Sequence, residues 1–184
     1  MTVAPAGPPL TDAQRAIAPR VEARLKRGDS WRDVLDFLVE ELKAAFPSHS
    51  WSGVYLAEGD ALVLGPFRGP ETPHMRIRIG EEGICGWVAR HGEAQVIPDV
   101  NADPRYLSCS ISVKSEIVVP IARGGVVLGV IDIDSEIPDA FTQTDLDALV
   151  ELAALVAPAL PAPLAAVPVA SAGPSPGPRA GRPA

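Results

Sequence analysis

The chain has 184 residues, enough for one domain with tails, and its 23 acidic residues against 16 basic ones leave a net charge of −7. Such a balance, with no Lys/Arg cluster, excludes a general nucleic-acid binder. No apolar run is long enough to span a bilayer, and the start MTVAPAGPPL lacks the basic and apolar regions of a signal peptide. With only Cys85 and Cys109, a disulfide-built scaffold is excluded as well, and a cytoplasmic, reducing compartment is expected.

In chain order, residues 1–10 are rich in Pro, Ala and Gly and are expected to form a disordered tail. Thr11 is an N-cap candidate, with Ile17, Val21 and Leu25 at helical spacing before Gly28. Pro19 interrupts that run and predicts a kink or a later start. Ser30, with Asp33 three residues on, caps a second helix that continues through Val34, Phe37, Leu38, Glu41 and Leu42 to Phe46. Strand signals follow. Trp51 to Leu56 alternates, with Trp51, Gly53 and Tyr55 on one face; Ala61 to Phe67 returns after a turn, and Met75 to Ile79 forms a short third strand. The segment ICGWVARHG reads as a short helix ended by Gly92, Gln95 to Ile97 as a brief strand, and Asp99 to Ser108 as a polar loop. A hairpin then runs to Ser135. A final helix is expected from Thr144, with Leu146, Leu149, Val150, Leu152 and Ala153 on its apolar side. The order α-α-β-β-β-α-β-β-β-α describes an α+β domain over 11–160, a central antiparallel sheet flanked by N- and C-terminal helices, and a Pro/Ala-rich tail over 161–184.

The hairpin between Cys109 and Ser135 carries acidic residues among apolar ones. With a three-residue loop, Arg123-Gly124-Gly125, Ala122 pairs with Val126 and Glu116 faces Asp132. Asp132 and Asp134 share that face because strand side chains alternate. A two-residue loop at Gly124-Gly125 would shift the register by one and separate Glu116 from the pair. Three carboxylates on one patch destabilise a sheet unless a cation, a proton or a ligand answers them. The patch is open to three readings: a metal site, although hard divalent ions want more oxygen ligands; an edge-strand device against aggregation; or a pocket for a cationic group in which one acid holds a proton. His49, His74 and His91 with the two cysteines show neither CxxC nor HxxxH spacing, so no structural metal is expected.

Cys85 falls near the start of the predicted ICGWVARHG helix, where the dipole favours thiolate. Cys109 stands in a polar loop between Ser108 and Ser110. Two thiols on loops leading onto one sheet suggest a nucleophile and a resolving partner, although either alone reads equally well as a small core residue. Trp51 and Tyr55 share a strand face, as core packing or as an apolar wall for a small ligand.

Together the runs WSGVYL, LVLGPFRG, MRIRIGEEGICGWV, SCSISVKSEIVVPI and GVIDIDS resemble the free methionine-(R)-sulfoxide reductases, a branch of the GAF-domain family, over about Trp51 to Leu160. The resemblance implies a GAF-like fold and reduction of free methionine-R-sulfoxide, with thioredoxin as external reductant and no bound cofactor. It places the nucleophile on Cys109 and a resolving thiol on Cys85, the first passing through a sulfenic acid. Glu116 and Asp134 stand with the catalytic groups. Trp51, Tyr55, Asp132, Ile84 and, less directly, Asp99 stand with substrate binding. Which acid delivers a proton to the sulfoxide oxygen stays open. His74 occupies the position nearest to where many relatives carry a third cysteine, which leaves recycling to Cys85 or impairs it. The alternative is a GAF module that binds a small molecule or senses redox state without turnover. The terminal helices offer apolar stripes for a homodimer or for the chain's own core.

Overall fold

Side-chain caps start two of the three helices in the first third of the chain. The computed structural model describes residues 7–80, 82–108 and 110–162. Thr11 and Gln14 form a reciprocal capping box on a single turn, α1 (Asp12–Arg15). The helix restarts as α2 (Ile17–Arg27), so Pro19 falls in its first turn, where no backbone N–H is needed. Gly28 closes α2 at φ 85°, in the left-handed region. The Ser30 hydroxyl accepts from the Asp33 amide at 3.2 Å and starts α3 (Trp31–Ala45).

The sheet comprises β1 (Trp51–Glu58), β2 (Ala61–Arg68), β3 (Arg76–Arg78), β4 (Gln95–Ile97), β5 (Ser115–Arg123) and β6 (Val126–Ser135). Its order is β3-β2-β1-β6-β5-β4, and every pairing is antiparallel. Helix α4 (Gly83–His91) joins β3 to β4 and ends at Gly92. Helix α5 (Gln143–Val156) follows β6. Its cap is Thr142, in a capping box with Asp145, and not Thr144, whose hydroxyl donates to the Gly7 carbonyl at 3.4 Å. Thr142 holds the extended backbone that an N-cap requires.

Helices α2, α3 and α5 cover one sheet face. Ile17, Val21, Leu35, Leu38, Leu42, Leu149 and Val156 bury there against Ile117, Val119, Ile121, Ile131 and Ile133. The buried residues of these helical stripes are thus occupied by the chain's own core, while Val150 on α5 remains exposed. Residue Leu10 also packs on this core, so the disordered N-terminal tail expected over 1–10 does not extend through its last residues. The rest of that tail, 1–6, and nearly all of the C-terminal one, 163–184, lie outside the described residues. Helix α4 covers the opposite face, where Trp51, Tyr55, Ile77, Ile84, Cys85, Val118 and Val130 form a second cluster.

The β5–β6 hairpin differs from the expectation in its turn. Gly124 and Gly125 have φ 60° and 77°, so they form a two-residue turn of the kind that needs positive φ at both centres, with Arg123 opposite Val126. A regular ladder from that turn would set Glu116 opposite Ile133, on the wrong face. A bulge prevents this. Ala122 pairs with Val127 and Ile121 with Gly129, leaving Leu128 as the extra residue. Beyond the bulge, Glu116 faces Asp134 and Val118 faces Asp132. Glu116 is thus opposite Asp134, not Asp132 as the three-residue loop implied, yet all three acids share one face.

Candidate functional site

Strand β1 brings the aromatic residues to the acids. Trp51 lies directly opposite Asp134 on β6, and Gly53 opposite Asp132. The Trp51 ring folds over the missing side chain of Gly53, where a β-carbon would meet the ring at 2.2 Å. The indole stacks on Phe67 with centroids 5.7 Å apart, lies 6.2 Å from Tyr55, and donates from Nε1 to the Pro70 carbonyl at 3.1 Å. That bond ties the loop after β2 to the wall of the site.

Helix α4 forms the opposite wall. Gly86 lets it approach the end of β3, since a β-carbon there would stand 2.5 Å from the Arg78 carbonyl oxygen. This approach seats Ile84 and Cys85 over the acids. Tyr55, His74, Ile77, Gly83, Ile84, Cys85, Leu107, Glu116 and Asp132 line a cavity of about 20 Å³, room for one water-sized occupant. A neighbouring hollow of about 70 Å³ has Trp51, Thr72, Ser112 and Asp134 in its walls. His74, in the wall of the cavity, donates from Nε2 to the Ser108 carbonyl at 3.0 Å, strapping the loop before β3 to the segment that leads into Cys109. Cys109 itself lies outside the described residues.

The electrostatics follow from burial. Glu116 is 6% exposed, and Asp132, Asp134 and Cys85 are 4% exposed each. Burial pushes all three carboxyls up toward the protonated form. For Glu116 the charges of Asp132 and Asp134 add to it, and for Asp134 that of Asp132. Asp132 rises to about 7, held back by hydrogen bonds from Cys85 and Glu116. Oε2 of Glu116 and Oδ1 of Asp132 are buried without a hydrogen-bond partner, a costly condition that a ligand would relieve. The Cys85 thiol is also raised well above its ordinary value, by burial first and then by Asp132 and Glu116. The dipole of α4 was expected to favour its thiolate; the surrounding acids and the loss of solvent outweigh it. The Cys85 sulfur, a Glu116 oxygen and an Asp132 oxygen lie within 4.8 Å of one another, the metal-capable grouping found among the described residues.

Of the expected site residues, the structure brings Trp51, Tyr55, Ile84, Cys85, Glu116, Asp132 and Asp134 together. Asp99 is not among them. It is exposed, and its carboxylate caps a 3₁₀ turn (Val100–Ala102) by accepting from the Asn101 amide at 2.9 Å. The acid of this loop that does reach the site is Asp103, whose charge raises Glu116 while that of Arg105 lowers it. Arg105 donates to Asp103 at 3.0 and 2.6 Å and to Gln95 at 3.2 Å, and lies over Trp87. No pattern in the sequence separates this pair from other loop charges. A wider surface groove on α2, α3 and β2 is lined by charges paired to one another, such as Arg68 with Asp36 at 3.0 Å and Arg24 with Asp29 at 2.9 Å.

A six-stranded antiparallel sheet with helices α2, α3 and α5 on one face and α4 on the other is the architecture of a GAF domain. The match to that family covers residues 30–160, and the chain belongs to it. Its place within the family is among the free methionine-R-sulfoxide reductases. It is 42% identical to the free methionine-R-sulfoxide reductase of Saccharomyces cerevisiae over 111 residues, 58% of this chain and 61% of that protein. It is 39% identical to the Escherichia coli protein of that name over 105 residues, 57% of this chain and 62% of the other. The aligned stretch thus spans under two thirds of either relative. The crystal structure of the Neisseria meningitidis reductase in complex with its substrate superposes with a TM-score of 0.75 at 35% identity, covering 86% of this chain and 95% of that one.

Proposed function

We propose that this protein reduces free methionine-R-sulfoxide to methionine, and that residues 11–160 carry the activity. The observation that supports this most is the buried triad of acids facing Trp51 and Tyr55, with two carboxyl oxygens left unpartnered. Free methionine brings an ammonium group to such a pocket, which a methionine inside a peptide lacks. Its methyl group and sulfoxide suit the aromatic wall. Asp134, opposite Trp51 and beside the second hollow, is the acid that receives the ammonium.

The chemistry balances with the residues present. The Cys109 thiolate attacks the sulfoxide sulfur while Glu116 protonates the sulfoxide oxygen. Methionine leaves and Cys109 becomes a sulfenic acid, so the two electrons come from Cys109. Glu116 is assigned the proton because it faces Asp134 and feels the charges of both aspartates, is held toward its protonated form, and keeps an oxygen free. Cys85 then attacks the sulfenic sulfur; Asp132 takes the Cys85 proton and passes it to the departing hydroxyl, so that a disulfide forms and water leaves. A thioredoxin dithiol, in a reducing cytoplasm, returns both cysteines to thiols by exchange.

Purified protein with thioredoxin, thioredoxin reductase and NADPH tests this. NADPH is consumed with free L-methionine-R-sulfoxide and not with the S-epimer or with peptide-bound sulfoxide. Absence of turnover with both thiols shown reduced overturns the enzyme and leaves a ligand-binding GAF module.

A further inference from the structure

We infer that Cys85, Glu116 and Asp132 form a binding site for a single zinc ion. Their ligand atoms already lie within 4.8 Å of one another, against the roughly 3–4 Å between ligands around a tetrahedral Zn²⁺ with bonds of about 2.0–2.3 Å. Small side-chain rotations close that difference. Two further observations point to a ligand. Glu116 Oε2 and Asp132 Oδ1 are buried in this cluster with no partner, and the cavity they line holds about 20 Å³, the volume of one small ion or water.

The donor set selects the ion. Calcium and magnesium take six or more oxygen ligands in most sites, which one thiol and two carboxyls cannot supply. One sulfur and two carboxylate oxygens form the three-ligand arrangement in which Zn²⁺ keeps its fourth position for a water. The thiol and any protonated carboxyl pass their protons to solvent as the ion binds. A dication also answers the crowding of acids that otherwise strains this patch. The second hollow, with Asp134, stays outside the site. Coordination does not depend on the protein being a reductase. If it is one, the ion removes Cys85, Glu116 and Asp132 from use together, and Zn²⁺ inhibits turnover reversibly.

The test uses the reduced full chain. Zn²⁺ is titrated in competition with a chromophoric chelator, and Cd²⁺ is added separately for its ultraviolet thiolate-to-metal absorption. One equivalent is expected, with the Cd²⁺ band present in Cys109→Ser and absent in Cys85→Ala. Glu116→Gln and Asp132→Asn should each weaken Zn²⁺ by at least the roughly 10–100-fold that loss of a mere supporting partner costs a metal site. Glu116→Gln keeps the side-chain volume, so it decides the matter if Cys85→Ala fails to fold. No bound ion overturns the inference. So does binding that survives Cys85→Ala or Glu116→Gln, or that disappears in Cys109→Ser, since the ion would then lie elsewhere.

Discussion

Asp132 titrates near 7 in the folded protein against about 3.9 in an unfolded chain. Between those values the native state binds the extra proton, so its stability falls as pH climbs from about 4 to 7 and then levels off. Glu116 and Asp134 are shifted in the same direction. Chemical unfolding of the reduced, ligand-free protein should therefore show lower stability at pH 8 than at pH 5. Asp132→Asn should remove part of that slope and stabilise the protein at pH 8 by on the order of 2–4 kcal/mol, with little effect at pH 4. An unchanged slope would mean that Asp132 is ionised without penalty. Glu116→Gln has a different signature: kcat for free methionine-R-sulfoxide should drop by about 10²–10⁴, the usual worth of a general acid. A change in KM alone would give Glu116 a binding role only.

At the level of the element, the β5–β6 hairpin fixes the site, and two features of it can be separated. Gly124 and Gly125 both need positive φ, so Gly124→Ala or Gly125→Ala should each cost about 1–2 kcal/mol in thermal unfolding, whereas Gly124→Asn should be nearly neutral. Deleting Leu128 removes the bulge and leaves a regular two-residue hairpin in which Glu116 still faces Asp134. Turnover should survive while stability falls by about 2–5 kcal/mol for the lost buried leucine. Loss of activity in a folded deletion variant would show that the bulge itself shapes the pocket.

This hairpin also shows how far the sequence could be read. Caps, apolar spacing and breakers gave the helices and strands because those signals are local: Ser30 with Asp33, Gly28, Gly92, and the alternation from Trp51. The two glycines suit a two- or a three-residue turn equally, and nothing local announces an extra residue at Leu128. A three-residue turn is one reading that sets all three acids on one face; that a two-residue turn with a bulge at Leu128 does so instead is not readable. Cys85 illustrates the same limit. Its place near a helix start is local, while the acids that raise its pKa come from β5 and β6. Asp99 and Asp103 look alike as loop acids, and only the packed chain separates a capping residue from one near Glu116.

For the whole molecule, the layered arrangement predicts how the two thiols divide their work. Cys85 sits on the buried face of α4 at 4% exposure, so modification of the reduced protein by a bulky thiol reagent should spare it. In Cys85→Ser, one equivalent of methionine should form per protein and thioredoxin should fail to recycle it; sustained turnover would require another resolving thiol. Oxidation by substrate of the unaltered protein should consume two free thiols. Free methionine-R-sulfoxide exceeds the 20 Å³ cavity; if the strap from His74 to Ser108 has to loosen to admit it, His74→Ala should alter KM more than kcat.

At the other end of the same hairpin, Arg123 donates from Nη1 to the carbonyls of Ala157, Pro158 and Leu160 at 3.2, 3.1 and 2.9 Å. Residues 157–160 therefore lie beside the turn, seven residues along β5 from Glu116, or roughly 23 Å of strand. Cargo joined directly after Ala162, in place of the residues that follow, would start from beside the turn and away from the acids. A fluorescent protein or a solid support attached at that point would leave the acid-lined cavity uncovered, which suits the domain to use as an immobilised probe for its ligand.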